Sequence, residues 1–101
     1  MRVFWTPDAV ARLHEIEANI AGEVPDAARG VIVRLIRRTA DLEQSPKLGR
    51  RLRLHHDVDL RELLERPYRL IYRVSTERVE IITVMHYRQL LPSDLTGAGR
   101  G

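Results

Sequence analysis

Five side chains near the ends of two predicted strands are of types that can bind a phosphate and transfer a proton. They are Arg69, Arg73, His86, Tyr87 and Arg88. If the strands pair through the turn at residues 75–77, Tyr68 and Arg69 lie roughly opposite His86 and Tyr87. Guanidinium groups stabilise the charge that develops on a phosphate under attack, and histidine or tyrosine can act as acid or base. The chemistry that this cluster suggests is metal-free RNA cleavage, in which a 2′-hydroxyl attacks its own phosphate.

A structural interpretation of the same residues remains open. Tyr68 and Tyr72 can be core aromatics, Arg73 a solvated strand residue and His86 a packing residue at a strand end. Charged residues on the open face of a sheet are common in folded proteins. Residue types alone therefore allow either a catalytic or a structural role for this cluster.

The densest run of positive charge lies in a predicted loop and consists of Arg50, Arg51, Arg53, His55 and His56. The formal net charge of the chain is +3, but residues 47–73 carry eight basic residues against four acidic ones. Lys47 is the only lysine, and the planar donor fork of arginine suits carboxylate and phosphate equally well. The run can contact nucleic-acid phosphates, pair with carboxylates of an acidic partner, or simply be solvated.

Other kinds of site chemistry find no support in the sequence. With no cysteine, the chain has no disulfide framework, thiolate metal site or cysteine nucleophile. It contains no glycine-rich phosphate loop, no Gly-x-Ser-x-Gly elbow and no His-Glu-x-x-His helix. The neighbours His55 and His56 would point apart on an extended strand, and His14 lies within a predicted helix. We therefore expect no metal and no cofactor.

Two helices are predicted in the first half of the sequence. Thr6-Pro7-Asp8 offers a capping hydroxyl, a first-turn proline and a favourable acid, and predicts a helix over about 7–21. The helix should end near Gly22, a residue that tolerates a left-handed cap. Pro25-Asp26 starts a second amphipathic helix, which Ser45-Pro46 stops because the residue before proline is pushed out of helical geometry. The short connection predicts a helical hairpin.

Strand-forming residues predict four strands, at positions 2–5, 60–64, 68–74 and 79–87. In the third, alternation turns Tyr68, Leu70, Tyr72 and Val74 toward the helices, and Arg69, Ile71 and Arg73 toward the opposite, open face. The last strand is apolar on both sides, as expected of a central or well-covered strand. Residues 47–59 read as a basic loop. The predicted fold class is α+β in the order β-α-α-β-β-β, with the helical hairpin packed on one face of a small, mainly antiparallel sheet.

The length of 101 residues fits one domain. We expect it to span residues 1–92, with a flexible tail at 93–101. No apolar run approaches the roughly 20 residues that cross a bilayer, and the first residues lack the apolar core of a signal peptide. Together with the absence of cysteine, these features predict a cytoplasmic protein with no membrane partner.

Several segments of the sequence resemble the ParE/RelE family of bacterial toxins, over about residues 1–92. They are Trp5-Thr6-Pro7-Asp8-Ala9, Ser45-Pro46-Lys47-Leu48-Gly49-Arg50, Arg61-Glu62-Leu63-Leu64, Tyr68-Arg69-Leu70-Ile71-Tyr72-Arg73-Val74 and Val79-Glu80-Ile81-Ile82-Thr83-Val84-Met85-His86. The last two are the most specific. The resemblance implies a small α+β toxin of a type II toxin–antitoxin system, neutralised by an antitoxin that lays an extended, partly helical segment across its surface.

This family divides by target. RelE-like members cleave mRNA in the ribosomal A site, whereas ParE-like members inhibit DNA gyrase and are not nucleases. By resemblance, Arg69, His86 and Tyr87 are the catalytic residues if the chain is RelE-like. The lysines that RelE-like members carry before the middle strand are absent here, where the sequence reads Leu60-Arg61-Glu62-Leu63-Leu64. Pro46-x-x-Gly49-Arg50 is closer to ParE-like members.

The resemblance therefore leads us to expect a gyrase inhibitor with no catalytic residues. Its expected binding residues are Arg50, Arg51, Arg53, Arg69, Arg73 and Arg88. Its expected partners are DNA gyrase and an acidic antitoxin, which in a hetero-oligomer buries the apolar surface of the helical hairpin and pairs with arginines. Two alternatives stay open: a RelE-like endoribonuclease that acts on ribosome-bound mRNA, and an inactive relative that only binds an antitoxin.

Overall fold

The computed structural model of the chain describes residues 1–22, 24–54 and 56–91. In chain order its elements are β1 (Arg2–Trp5), α1 (Pro7–Ala21), α2 (Pro25–Ala40), a 3-10 turn (Asp41–Glu43), β2 (Arg50–Leu52), β3 (Asp59–Glu65), β4 (Tyr68–Val74) and β5 (Arg78–His86). The two predicted helices and the four predicted strands are confirmed. The predicted tail at 93–101 and His55 lie outside the described residues.

The first helix begins where the sequence predicts it. The Thr6 hydroxyl accepts a hydrogen bond of 3.2 Å from the Ala9 amide, and Pro7 occupies the first turn, where its missing N–H costs nothing. The same hydroxyl donates to the Ile81 carbonyl at 2.9 Å, so the cap also ties α1 to β5. Gly22 ends the helix in the right-handed region, with φ −63°, so the left-handed cap that a glycine favours is not used here.

The second helix ends in a tighter turn than the sequence indicates. The α-helical hydrogen bonds of α2 stop at Ala40, and the chain continues as a 3-10 turn before it reaches Ser45-Pro46. Leu42 in that turn is fully buried, which explains why the apolar stripe of the helix extends beyond its last α-helical residue.

The sheet has five strands in the order β1-β5-β4-β3-β2, and it is mixed. β1 runs parallel to β5, while the other neighbouring pairs are antiparallel. β5 lies inside the sheet between β1 and β4, so it is a well-covered strand, whereas the central strand is β4. The predicted loop at 47–59 contains one strand that the sequence analysis missed, the three-residue β2 at the sheet edge.

Two apolar clusters sit on the two faces of the sheet. The larger contains Leu35, Leu70, Tyr72 and Ile81 and packs under the helices. The smaller lies on the opposite face and contains Leu52, Leu60, Ile71, Ile82 and Met85, with Val58 and Leu91 packed against it. The predicted division of β4 into a helix-facing and an open side is therefore confirmed, and the open side carries its own small core. Within the described ranges, no helix is long and apolar enough to cross a membrane.

Candidate functional site

Arg69 and Glu62 form the centre of a charged network on the open face of the sheet. The Arg69 guanidinium donates to Glu62 Oε2 at 2.5 Å, and that of Arg50 donates to Glu62 Oε1 at 3.1 Å. The side chain of Glu62 is 7% exposed and that of Arg69 is 12% exposed. Burial alone would raise the pKa of the Glu62 carboxyl, but the hydrogen bonds and charges of Arg69 and Arg50 outweigh burial and lower it. Glu62 is therefore an anion held between two arginines.

The second terminal nitrogen of Arg69 holds the end of the described chain, while its buried Nε has no hydrogen-bond partner among the described residues. Its guanidinium donates to the backbone carbonyl of Gln89. The Gln89 side chain in turn accepts from the His86 amide at 2.8 Å, and the Gln89 amide donates to the His86 carbonyl at 2.9 Å. Arg69 thus holds the turn after β5 against the sheet, while Leu91 packs on the smaller core. Its position and its contacts are those of an anchoring residue.

Arg73 is neutralised in a similar way. Its guanidinium forms an ion pair with Glu80 on the neighbouring strand, with the Nε donating at 3.0 Å. Arg78 also reaches the Glu80 carboxylate, at 2.9 Å. The Arg73 side chain is only 24% exposed. An arginine shared in this way has few donors left for an outside phosphate.

His86 and Tyr87 lie in an aromatic group at the end of the sheet. The rings of Tyr68 and His86 meet edge to face with centroids 6.0 Å apart, and His86 and Tyr87 stack at 5.0 Å. Tyr68 pairs with His86 across the strands, as predicted, whereas Arg69 pairs with Met85. The guanidinium carbons of Arg66 and Arg88 lie 5.7 Å and 5.4 Å from the Tyr87 ring centre, within the range of cation–π contact.

The basic run at the β2 edge divides into a paired and an unpaired part. Arg51 lies 3.7 Å from Asp59, which also forms an ion pair with Arg61 at 3.0 Å. Arg53 is exposed, and no carboxylate approaches it within 4.0 Å in the ranges that the structure describes. The run is thus partly solvated and partly tied into the sheet edge.

A cleft of about 830 Å³ opens at the opposite end of the sheet from Tyr87. Met1, Pro46, Leu48 and Val74 give it an apolar lining, and its rim carries both cations and carboxylates, among them Lys47, Arg51, Asp57 and Asp59. Because the charges are mixed, the rim selects neither anions nor cations. Among the described residues, no group of three His, Asp or Glu side chains is placed to hold a metal ion.

Comparison with known proteins places the chain in a family. Residues 3–91 match the family model described as "ParE toxin of type II toxin-antitoxin system, parDE". The chain belongs to the ParE toxin family. It is therefore the toxin component of a type II toxin–antitoxin system. The predicted resemblance is confirmed, and the match covers nearly the whole of the domain expected from the sequence.

The individual proteins that this ParE-family toxin resembles also carry names of toxins or of toxin–antitoxin systems. A Sinorhizobium fredii protein named "Putative toxin Y4kP" is 40% identical over 94 residues, which cover 93% of this chain and 96% of that protein. The chromosomal ParDE system from P. aeruginosa matches in structure with a TM-score of 0.71 and 25% identity, over 85% of this chain and 95% of that one. The RelBE2 toxin–antitoxin complex from Mycobacterium tuberculosis matches with a TM-score of 0.52 and 27% identity, over 84% and 95%. The predicted α+β fold class is confirmed.

The fold of this ParE-family toxin gathers the predicted site residues into separate groups. Arg50 and Arg69 share Glu62, whereas Arg73 pairs with Glu80 at some distance along β4. The other predicted residues lie at the sheet end (His86, Tyr87, Arg88) or near the β2 edge (Arg51, Arg53). Sequence reasoning missed the anchoring acid Glu62 and the turn residue Arg66. A sequence signal for Glu62 was available, because strand alternation places it on the same face as Leu60 and Leu64, where Arg69 was also expected.

Proposed function

We propose that this toxin acts by binding and inhibiting DNA gyrase, without cleaving RNA. The observation that carries the absence of RNA cleavage is the ion pair between Arg69 and the buried carboxylate of Glu62, while membership of the ParE family supports gyrase as the target. In the catalytic interpretation, Arg69 must stabilise a phosphate whose charge grows in the transition state. Here the guanidinium already serves one carboxylate and one backbone carbonyl, and it lies largely out of solvent.

Glu62 also works against a bound phosphate through its own charge. Two like charges about 4 Å apart repel by roughly 4 kcal/mol at the effective dielectric constant typical of a protein surface. A phosphate that approached Arg69 would meet this carboxylate, whose lowered pKa keeps it ionised at neutral pH. The arrangement therefore favours a role in which Arg69 supports the fold and the toxin acts through its surface.

A ribosome-dependent endoribonuclease is the second candidate function. One observation favours it: His86 lies opposite Tyr68, immediately beside the Arg69–Met85 pair, so an imidazole and two phenols lie close to an arginine. Imidazole and phenol groups can act as acid or base. For this function the Glu62–Arg69 pair would have to open when RNA binds.

The proposed antitoxin is an acidic polypeptide that covers the helical hairpin. Four exposed residues share one side of α2, because their spacing along the helix is four, three and one residues. They are Arg29, Val33, Ile36 and Arg37. Ile36 is 47% exposed. An amphipathic acidic segment would bury the valine and isoleucine while its carboxylates pair with the arginines. This side of α2 therefore fits an acidic, amphipathic antitoxin.

The test compares the two targets directly. The chain is induced alone, purified, and added to gyrase in a DNA supercoiling assay and to ribosomes translating a defined mRNA. We expect supercoiling to be inhibited and the message to remain intact. If the mRNA is cut, and only on ribosomes, the endoribonuclease replaces the proposed function. If cells that express the chain keep growing and neither target is affected, the chain is an inactive relative that only binds an antitoxin.

A further inference from the structure

One surface at the end of the sheet combines uncompensated positive charge with exposed apolar groups. It consists of Leu64, Arg66, Tyr87, Arg88 and Leu90, and is called here the Tyr87 surface. Arg66 belongs to the turn between β3 and β4, and Tyr87, Arg88 and Leu90 follow β5. Both guanidinium groups lie over the Tyr87 ring, and Arg88 Nε also donates to the Tyr87 hydroxyl at 3.1 Å. The ring therefore orients two arginines that would otherwise be free to move.

The arginines of the Tyr87 surface have no carboxylate partner in the described parts of the chain. No carboxylate lies within 4.0 Å of Arg66 or Arg88. The nearby acids are already in use: Glu65 faces Arg34 at 3.7 Å and Arg38 at 3.8 Å, and Glu62 is shared by two arginines. Among the residues that the structure describes, the surface therefore presents two positive charges that no carboxylate neutralises.

Exposed apolar side chains lie on the same surface. Leu90 is 92% exposed, the largest fraction among the large hydrophobic side chains of the described residues, and Leu64 and Tyr87 are 43% and 36% exposed. Leu64 pairs with Arg69, whose guanidinium donates to the carbonyl of Gln89, the residue before Leu90. Arginine and tyrosine are enriched in the energetic centres of protein interfaces, and exposed apolar groups beside them mark contact surfaces.

We propose that the Tyr87 surface is the part of the toxin that binds an acidic surface of the gyrase protein. This inference rests on the proposed function. It locates gyrase binding at the Tyr87 surface, separate from the helical hairpin that the antitoxin is proposed to cover. A nucleic-acid surface would gain nothing from two exposed leucines, whereas a protein partner buries them and supplies carboxylates for Arg66 and Arg88. The apolar groups therefore favour protein over DNA as the bound surface.

The experiment uses two matched double variants of the full chain. Arg88→Glu with Leu90→Ser alters the Tyr87 surface. Lys47→Glu with Leu48→Ser makes the same change of charge and of apolar exposure at the opposite end of the sheet, where Leu48 is 47% exposed. Both pairs are exposed, so circular dichroism and thermal unfolding should match the wild type. Each protein is titrated in the supercoiling assay and against immobilised gyrase without DNA.

We expect half-inhibition of gyrase to require an at least about tenfold higher concentration of the Arg88→Glu/Leu90→Ser variant than of the wild type. A tenfold change corresponds to the loss of an interface residue worth about 1.4 kcal/mol. Its binding to gyrase should weaken in parallel, while the Lys47→Glu/Leu48→Ser variant and antitoxin binding stay near wild type. Failure of the wild type to inhibit gyrase would overturn the proposed function itself. Inhibition by the wild type with equal potency of both variants would overturn only the Tyr87 surface.

DNA provides a further decisive control. Single variants Arg88→Glu and Leu90→Ser are compared for binding to duplex DNA at several salt concentrations. If wild-type toxin binds DNA with a steep salt dependence, and only the arginine exchange weakens both DNA binding and inhibition, the surface binds phosphates and the assignment to a protein partner is overturned. We expect both single exchanges to weaken binding to gyrase in the absence of DNA.

Discussion

The Tyr72 hydroxyl joins the loop after the helices to the middle of the sheet through Gly49. The Gly49 amide donates to this hydroxyl at 2.8 Å, and the hydroxyl donates to the Pro46 carbonyl at 2.8 Å. Burial raises the pKa of Tyr72 above the ordinary 10.0, so the hydroxyl keeps its proton at neutral pH. A Cβ at position 49 would lie 2.5 Å from the Glu62 carbonyl oxygen and 2.8 Å from the Tyr72 hydroxyl. The close approach therefore requires glycine.

Gly49→Ala should destabilise the fold. The added methyl meets backbone as well as the buried Tyr72 side chain, so β2 must move away from β3, and we expect a loss of about 2 kcal/mol in the free energy of unfolding. Gly30→Ala is the matched control, since its Cβ would meet only an arginine side-chain nitrogen at 3.7 Å, and alanine favours the helix. Urea denaturation measures both. Equal stability of the two variants would contradict the close packing at Gly49.

The Glu62 network should make stability fall at acid pH. Because the folded-state pKa of Glu62 is below the ordinary value of 4.5, its contribution is present above that value and is lost as pH falls through the folded pKa. Glu62→Gln should lose about 2 kcal/mol at pH 7, and its difference from the wild type should shrink below pH 4.5. Urea denaturation from pH 7 to 3 checks this, with exposed Glu77→Gln as control. A difference that grows on acidification would refute it.

The elements of the fold were predictable where sequence signals are local. Thr6 and Pro7 define the start of α1, and the alternation in Tyr68–Val74 defines the faces of β4. The strand β2 was not predictable from its own residues, because Arg50–Leu52 has neither the length nor the alternation of a strand. It forms because β3 offers a free edge and because Leu52 enters the smaller core. Such partners are distant in sequence.

The candidate site was predictable in its residue types and less so in its pairing. The short turn after β4 sets the pairs from Val74–Val79 to Tyr72–Ile81, but a bulge between Ile71 and Tyr72 shifts the register by one residue. Tyr68 therefore pairs with His86 rather than with Met85. Whether an arginine is available or already neutralised depends on acids that approach from other strands, as Glu62 does for Arg69. Charge counts along the sequence do not contain this information.

Ile36 should be a determinant of antitoxin binding. Ile36→Asp places a negative charge on the exposed side of α2, which repels an acidic partner and removes apolar area that the partner would bury, and we expect affinity to fall at least about tenfold. Leu48→Asp is a matched control, because Leu48 and Ile36 are both 47% exposed and Leu48 lies outside the hairpin. Isothermal titration with the cognate antitoxin measures both. Equal weakening by the two exchanges would argue against the hairpin as the docking surface.

The double variant Glu62→Gln/Arg69→Gln separates binding from catalysis most sharply. Arg69→Ala alone leaves a buried carboxylate short of one partner, at a cost of about 3 kcal/mol, so a loss of toxicity could reflect unfolding. Exchanging both residues removes the guanidinium and the carboxylate together and keeps amide groups that can hydrogen-bond to each other. If Arg69 supports the fold, this variant should fold and still arrest growth.

The readouts are growth after induction, gyrase supercoiling, and thermal unfolding of the purified variant. Glu62→Gln alone is the control, because it keeps Arg69 and releases it from its strongest partner. A catalytic Arg69 predicts that Glu62→Gln keeps or raises toxicity while the double variant, though folded, loses it by several orders of magnitude. We expect instead that both variants inhibit gyrase at concentrations close to the wild type. Both keep every residue of the Tyr87 surface, and the two hydrogen bonds between His86 and Gln89 still hold its turn when the bond from Arg69 to Gln89 is lost.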